Sequence, residues 1–251
     1  MCTLVVLRRP GHAWPLILGG NRDEMKNRPW TAPGRHWPDR PEVLAGRDDL
    51  AGGSWMGLND HGVVAVILNR QGTLGPAADK RSRGELVLLA LDEVDAAAAA
   101  LVMSELRPDS YRSFNMVIAD NRDAFFVAHR NEDQPIAVER LRDGLTMLSA
   151  RELDDATSPR IAFHRPRFQA VPPPDPEAGL WTSWEGLFAS AQHAPEAGAA
   201  GAMSFELPSG FGTVSSTLMA VPAIGRAGVQ PRIRFAAGPP DRTPYTDLVW
   251  R

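Results

Sequence analysis

The sequence begins Met1-Cys2-Thr3-Leu4-Val5-Val6-Leu7, and this stretch decides the fold and the chemistry that we expect. Cys2 is the only cysteine among 251 residues and directly follows Met1. Because methionine is usually removed before a residue as small as cysteine, we expect the mature chain to begin at Cys2. Its thiol and its free α-amine would then act as one unit, in which the amine accepts the thiol proton. The alternative is that Cys2 is a small buried hydrophobic residue in an apolar strand.

The next segment predicts a β-hairpin whose far end returns to Cys2. The opening stretch is apolar on both faces, as in a strand buried within a sheet. Residues 15–19 form a second strand after a polar turn, and Gly19-Gly20 then allows a sharp bend. Arg22 and Asp23 follow this bend directly. A hairpin of this length therefore predicts that both side chains lie near Cys2.

The rest of the chain consists of separate blocks of strands and of helices. Further strands are predicted at 42–45, 54–58, 63–68, 114–119, 125–129, 136–141, 145–149, 212–221 and 232–237. Helices are predicted at 83–91, 92–106, 159–170 with a break at Pro166, and 180–193. We expect 26–41 to be an irregular loop and the alanine-rich segment 194–202 to be flexible. Segregated blocks favour an α+β fold with mostly antiparallel sheets, in a single domain that spans residues 1–251.

Composition and charge argue against several classes of partner and location. Hydrophobic residues at 43% and charged residues at 23% are ordinary for a globular protein. A net charge of −3 argues against a nucleic-acid partner or an anionic membrane surface. One cysteine cannot form an internal disulfide, and the apolar runs are too short for a signal peptide or a membrane span. We therefore expect a cytoplasmic protein, and its oligomeric state stays open.

The predicted hairpin and one distant asparagine supply the groups that amide transfer needs. Cys2 would be the nucleophile, Arg22 would favour its thiolate by charge, and Asp23 would orient the α-amine. Asn69, at the end of a predicted strand, offers a side-chain amide for the oxyanion of the tetrahedral intermediate. Each residue also has a structural interpretation, as part of a polar turn, a surface ion pair or a strand-end cap.

Five motifs resemble those of the NRDE family, also called the transport and Golgi organisation protein 2 family. They are Met1-Cys2-Thr3-Leu4, Asn21-Arg22-Asp23-Glu24, Gly52-Gly53-Ser54-Trp55-Met56-Gly57, Leu68-Asn69-Arg70 and Phe211-Gly212-Thr213-Val214-Ser215-Ser216-Thr217. The run Gly57-Leu58-Asn59-Asp60-His61-Gly62 also resembles the penicillin V acylase and bile-salt hydrolase group. Both resemblances imply the four-layered αββα fold of N-terminal-nucleophile hydrolases.

The resemblance also implies a function and a set of site residues. In cysteine members of that fold the exposed first residue is the nucleophile, an Arg and an Asp sit beside it, and the substrate bond is a non-peptide C–N amide. This gives Cys2, Arg22 and Asp23 the catalytic roles argued above toward a small-molecule substrate. Asn69 keeps the oxyanion role inferred from its side chain and position, and we expect no metal or cofactor. The residues expected to support the site or to contact the substrate are Asn21, Glu24, Ser54, Trp55 and Arg70.

Two departures from the family pattern leave the activity open. The family usually places an asparagine after a strand such as 147–149, and in the acylases that asparagine supplies an oxyanion amide; this chain has Ala150. Val214 stands where the family commonly has an arginine. Loss of an oxyanion donor typically costs about 3–4 kcal/mol of transition-state stabilisation. The alternative function is therefore a non-catalytic binding protein on the same fold that handles a lipid or haem.

Other chemistries fit the sequence less well. Ser54 lies in a near match to a nucleophile elbow, but the second glycine comes one place late and a strand follows. Gly210-Phe211-Gly212 lacks the third glycine of a dinucleotide-binding loop. The six histidines are scattered, with no pair at metal-ligand spacing, so the sequence does not predict a zinc site.

Overall fold

Two antiparallel sheets, four α-helices and three 3₁₀ turns make up the regular structure of residues 2–226 and 228–249, which the computed structural model describes. The strands are β1 (Thr3–Arg8), β2 (Leu16–Met25), β3 (Trp30–Gly34), β4 (Val43–Asp48), β5 (Met56–Asn59), β6 (Val64–Asn69), β7 (Phe114–Ala119), β8 (Ala124–His129), β9 (Ala137–Arg140), β10 (Gly144–Leu148), β11 (Phe211–Val221), β12 (Arg232–Ala236) and β13 (Thr246–Leu248). The helices are α1 (Gly84–Leu91), α2 (Ala96–Ser104), α3 (Pro159–Ala170) and α4 (Thr182–Phe188). The predicted α+β class with mostly antiparallel sheets is confirmed.

The chain divides into two compact units. The first unit contains Met1–Asn27 and Arg142–Arg251, and its six strands are ordered β10-β1-β2-β11-β12-β13. The second unit contains Arg28–Leu141, and its seven strands are ordered β3-β4-β5-β6-β7-β8-β9. Each unit has a hydrophobic core of its own between a sheet and two helices. That the whole chain acts as one domain stays a prediction.

In the first unit, α3 and α4 cover one face of the six-stranded sheet. Phe168 of α3 packs edge-on against Trp184 and Phe188 of α4, with ring centroids 5.5 and 5.2 Å apart. These rings belong to the same core cluster as Val5 of β1 and Ile17 of β2. Burying aromatic and branched side chains is the main stabilising contribution to such a layer. The two strands of the first hairpin are thereby fixed beneath the helices.

The first hairpin forms as predicted, but its second strand is longer than we expected. β1 and β2 pair antiparallel, with Thr3 opposite Asn21. Gly19 and Gly20 lie inside β2, so the predicted bend at this point is wrong. A Cβ atom at Gly19 would lie only 2.5 Å from side-chain atoms of β11 and of α4, which explains why the position has no side chain. β2 therefore continues to its end within the sheet and carries the 21–24 motif with it.

The second unit is a meander in which each strand pairs with the next in sequence. α1 and α2 pack on this sheet, and Asp95 caps α2 by accepting a hydrogen bond from the Ala98 N–H at 2.8 Å. The predicted loop at 26–41 contains β3, so that part of the prediction is wrong. β3 is an edge strand with Pro33 inside it, and edge strands are where a sheet tolerates proline.

Two further differences concern the first unit. α3 continues through Pro166, so the expected break is absent from this described helix. β13 was not predicted, and it adds three residues to the sheet by pairing with β12. β13 has only three residues, and local propensity does not determine so short a strand.

Among residues 2–226 and 228–249, no helix has the length and apolar character needed to cross a bilayer. The same residues contain no group of three or more His, Cys, Asp or Glu side chains that could hold a metal ion.

Candidate active site

The sulfur of Cys2 lies against the backbone of Asp23. The Asp23 N–H donates to Cys2 Sγ at 3.4 Å, and the thiol is 3.6 Å from the Asp23 carbonyl oxygen, which accepts from it. The cause is the register of the hairpin, because Thr3 opposes Asn21 and the residue before Thr3 is carried to the residues after Asn21. Cys2 is half-buried. The predicted proximity of Cys2 and Asp23 is therefore confirmed.

The side chains of the hairpin divide between the two faces of the sheet. Thr3 and Asp23 both contact Arg160 of α3, so they lie on the face that the helices cover. Since side chains alternate along a strand, Cys2 and Arg22 lie on the opposite face. The thiol therefore meets the Asp23 backbone, while the Asp23 carboxylate acts on it only by charge.

The Asp23 carboxylate is the centre of a buried hydrogen-bond network. Its Oδ2 accepts from Arg160 Nη1 at 2.8 Å, and its Oδ1 accepts from Thr213 Oγ1 at 2.9 Å. The exposed fraction is 4% for the Arg160 side chain and 0% for that of Asp23. Charge-assisted hydrogen bonds to both oxygens fix the orientation of the carboxylate. Sequence reasoning missed Arg160, whose only signal was a cationic residue in a predicted helix.

The pKa of the Cys2 thiol is raised above its ordinary value. Burial is the main cause, and the nearby charge of Asp23 is the second. The hydrogen bond with the Asp23 backbone and the charge of Arg22 lower the thiol pKa, but they do not compensate. Arg22 therefore acts in the direction we expected, without producing a thiolate at neutral pH. A nucleophilic thiol at this position needs a base to accept its proton.

The two positions that depart from the family pattern flank the same hairpin. Ala150 follows β10, is 3% exposed, and offers no side-chain hydrogen-bond donor. Its neighbour Ser149 donates from Oγ to the Cys2 carbonyl oxygen at 3.3 Å. Val214 is the extra residue of a β-bulge in β11, where the pairing with β2 shifts between Thr213 and Ser215. Neither position supplies a polar side chain to the site.

Asn21 and Glu24 have local partners that indicate structural roles. Asn21 is 2% exposed, and its Nδ2 donates to the carbonyl oxygens of Phe188 and Met203 at 3.0 and 2.8 Å. It therefore fixes the end of α4 and the segment that follows. Glu24 is half-buried and accepts a hydrogen bond from the Met25 N–H at 2.8 Å.

The other expected site residues lie in the second unit. Asn69 ends β6 opposite Phe114, and Arg70 Nη1 donates to Asn115 Oδ1 at 2.5 Å. Their roles in substrate binding or catalysis stay predictions.

Ser54 and Trp55 precede β5 in the same unit. Ser54 is 3% exposed, and its Oγ bonds to the backbone of Met56 at both the N–H and the carbonyl oxygen. The Trp55 ring packs edge-on against Trp30, with centroids 5.9 Å apart. These contacts account for both residues structurally, and their supporting roles stay predictions.

Two residues on one face of α3 hold the alanine-rich segment that we expected to be flexible, and a third residue, Arg167, contacts Ser190 before that segment. Arg160 Nη2 donates to the Ala200 carbonyl oxygen at 2.6 Å, and His164 Nε2 is 3.2 Å from the Gly201 carbonyl oxygen. Arg167 donates to Ser190 Oγ at 3.1 Å. The segment forms two 3₁₀ turns, 195–197 and 199–201, so the prediction of flexibility is wrong.

We expect His164 to make stability depend on pH. Burial first, then the charges of Arg167 and Arg160, lower the pKa of His164 to about 4. The unfolded chain protonates this histidine near its ordinary pKa, so stability is fully present above about pH 6.5 and is lost as pH falls toward 4. The loss attributable to His164 is on the order of 3 kcal/mol. Urea unfolding at both pH values should show a smaller loss for His164→Gln, and equal losses would contradict the assignment.

A family model described as Transport and Golgi organisation 2 matches residues 1–196. This chain belongs to that family. The mouse Transport and Golgi organization 2 homolog is 32% identical over 137 residues, which cover 51% of this chain and 48% of the mouse protein. The human homolog is 31% identical over 137 residues with the same coverage. The chain thus spans about half the length of the curated relatives it matches. The family predicted from the motifs is confirmed.

Solved structures with a similar fold are named as an amidase, an acylase and a hydrolase. A Caenorhabditis elegans N-acylethanolamine-hydrolyzing acid amidase ortholog has a TM-score of 0.58 at 14% identity and covers 90% of this chain and 95% of its own. A variant of the conjugated bile acid hydrolase from Clostridium perfringens has a TM-score of 0.55 at 11% identity, covering 100% and 97%. Penicillin V acylase from Agrobacterium tumefaciens has a TM-score of 0.51 at 11% identity, covering 99% and 98%. The fold is that of N-terminal-nucleophile hydrolases, as the motifs predicted.

Proposed function

We propose that this protein is a cysteine hydrolase of the N-terminal-nucleophile type that cleaves a non-peptide C–N amide bond of a small molecule. The observation that carries the proposal is the contact of the only cysteine's sulfur with the backbone of Asp23, at 3.4 Å, where the hairpin begins. The side chain of the same Asp23 forms a buried ion pair with Arg160. The fold supports the proposal, since its structural neighbours are named as an amidase, an acylase and a hydrolase.

The reaction proceeds in two balanced steps. The Cys2 sulfur attacks the amide carbonyl carbon while the α-amine of Cys2 takes the thiol proton. The tetrahedral intermediate collapses, the C–N bond breaks, and the leaving amine takes that proton. This gives a thioester on Cys2. Water then attacks the thioester with the α-amine as base, releases the carboxylic acid, and restores the thiol.

The raised pKa of the Cys2 thiol is consistent with a mechanism in which the sulfur attacks and the α-amine accepts its proton. A thiol that is protonated at neutral pH requires a base next to it, and a free α-amine has an ordinary pKa of about 7.7–8.0. In the proposal Asp23 orients this amine and Arg22 favours the thiolate as it forms. Asn69 is the proposed oxyanion donor. We also propose the cytoplasmic location that the sequence predicts.

Intact-mass spectrometry after incubation with an acylating amide or ester panel tests the proposal. We expect mature protein to begin at Cys2 and to gain one acyl mass, which Cys2→Ala does not gain. The required removal of Met1 concerns a residue outside those that the structure describes. A protein that keeps Met1 in its producing cells would lack the proposed base, and that result would defeat the mechanism.

A second candidate is a binding protein for a small lipid, favoured by the apolar side chain of Ala150 at a family oxyanion position. A haem would need an axial ligand other than His164 or Cys2. His164 has both ring nitrogens in hydrogen bonds, and burial keeps the Cys2 thiol protonated by raising its pKa, so neither fits an axial ligand. Native mass spectrometry of protein from cells separates the candidates. A ligand that Cys2→Ala retains favours binding, whereas an acyl adduct that Cys2→Ala loses favours catalysis.

A further inference from the structure

Arg160 is a buried cation far from the hairpin in sequence, and it is held on several sides. Its Nη1 donates to Asp23 Oδ2 at 2.8 Å and to Thr3 Oγ1 at 2.7 Å. Its Nη2 donates to the Ala200 carbonyl oxygen at 2.6 Å, and its guanidinium carbon lies 5.0 Å from the centroid of the Phe205 ring. The guanidinium therefore links Asp23 to the residue that directly follows the proposed nucleophile.

We propose that Arg160 is a positioning residue for the reaction at Cys2, which fixes the Asp23 carboxylate and offsets part of its charge at the thiol and the α-amine. The inference rests on the proposed function, because it assigns Arg160 a task in that chemistry. Arg160 contacts Asp23, and it acts on the Cys2 sulfur through that carboxylate. It belongs to α3, outside all five motifs that identified the family.

The position of Asp23 determines how its charge acts on Cys2. A carboxylate close to Cys2 opposes formation of the thiolate, and its charge is the second cause, after burial, of the raised thiol pKa. A lone carboxylate would also favour the ammonium form of the α-amine, which cannot accept a proton. With Arg160 at 2.8 Å, the pair is neutral overall, and its field at the sulfur is that of a dipole. The Cys2 thiol therefore loses its proton, and the α-amine accepts it, more readily than either would beside a lone carboxylate.

In the described part of the chain, the elements next to this pair carry further ionisable groups. Arg22 lies on β2, on the opposite face of the sheet, and His164 lies one turn further along α3, where its pKa is lowered to about 4. Glu196 in the adjoining 3₁₀ turn is exposed. The sequences of β10 and β11 contain no ionisable side chain. Removing Arg160 therefore changes the charge balance at Asp23 directly.

The rate of alkylation by iodoacetamide tests the inference without any substrate. Because Cys2 is the only cysteine, the rate reports on its thiol alone. In mature protein, we expect Arg160→Met to move the midpoint of the pH–rate profile up by about one unit, which lowers the rate about tenfold below the midpoint. Asp23→Asn should move the midpoint down, since it leaves the cation unopposed. A purely structural role would move both variants in the same direction.

The control is Arg167→Met, which removes a cation seven residues further along α3 that contacts Ser190 and Gln192 instead of Asp23. Its profile should match the wild type. Should Arg160→Met fail to fold, Arg160→Lys and the double variant Asp23→Asn with Arg160→Met take its place. Both should stay near the wild-type midpoint, because each keeps the local charge balanced.

Two results would overturn the inference about Arg160. One is a wild-type profile for Arg160→Met, and the other is a double variant whose midpoint differs from the wild type as much as either single variant. The proposed function fails separately. If the variants shift as expected but mature wild-type protein never forms an acyl adduct, the hydrolase proposal is wrong while the charge coupling between Arg160 and Cys2 stands.

Discussion

Replacing Cys2 by alanine is expected to lower turnover of N-acyl aminocoumarin amides by about 10⁴-fold or more, because the nucleophile that forms the acyl-enzyme bond is lost. Keeping Met1 on the chain should lower turnover by about 10²–10⁴-fold, since the thiol remains but the proposed base becomes a peptide nitrogen. Release of the fluorescent aminocoumarin measures both. Acyl chains of several lengths should be used, because the fold does not select among them.

Two comparisons make this result specific to the proposed unit of thiol and amine. Cys2→Ser keeps the α-amine and replaces the thiol by a hydroxyl. The turnover that this variant loses therefore measures the contribution of the sulfur separately from that of the base. Arg167→Met, remote from Asp23 on the same helix, should retain wild-type turnover. Turnover by Cys2→Ala that equals the wild type would place the chemistry elsewhere. Equal turnover with and without Met1 would remove the α-amine from the mechanism.

The strands that the sequence predicted best are those buried on both faces. The run 114–119 was predicted with the bounds it has in the structure, because a short apolar run between polar turns has few alternatives. Gly19 was misinterpreted because the same residue permits a bend or a close approach, and only the packing of α4 and β11 decides between them. β3 was missed because Pro33 argues against a central strand, and nothing local shows that the strand lies at an edge.

The sequence predicted those contacts of the candidate site that form within the first hairpin. Cys2 and Asp23 are joined by one hairpin, so loop length and strand length sufficed to bring them together. Arg160 is 137 residues from Asp23, and its contact depends on how α3 docks on the sheet. Ala200 was assigned to a flexible segment for the same reason, since α3 supplies the hydrogen bond that orders it. The direction of the thiol pKa was also missed, because burial outweighs the cation that the sequence displays.

The buried pair of Asp23 and Arg160 should produce the largest change in stability. Arg160→Met leaves a carboxylate with 0% exposure facing an apolar side chain, and breaking a buried pair in this way costs about 3–5 kcal/mol. That is a large fraction of the roughly 5–15 kcal/mol by which a domain is stable. Removing both charges in the double variant Asp23→Asn with Arg160→Met should cost less than Arg160→Met alone. Urea unfolding at neutral pH gives all the free energies of unfolding.

A double-mutant cycle then isolates the pair from its surroundings. Asp23→Asn leaves the guanidinium with Thr3 and the Ala200 carbonyl oxygen as partners, so its cost should be smaller than that of Arg160→Met. We expect a coupling energy of about 1–3 kcal/mol, within the range of about 0.5–3 kcal/mol found for residues in one network. Arg167→Met provides the matched loss of a cation from α3, and it should couple to Asp23→Asn by no more than the roughly 0.5 kcal/mol seen for independent sites. Additive costs for Asp23→Asn and Arg160→Met would mean that the charges do not stabilise each other, and the positioning role of Arg160 would lose its physical basis.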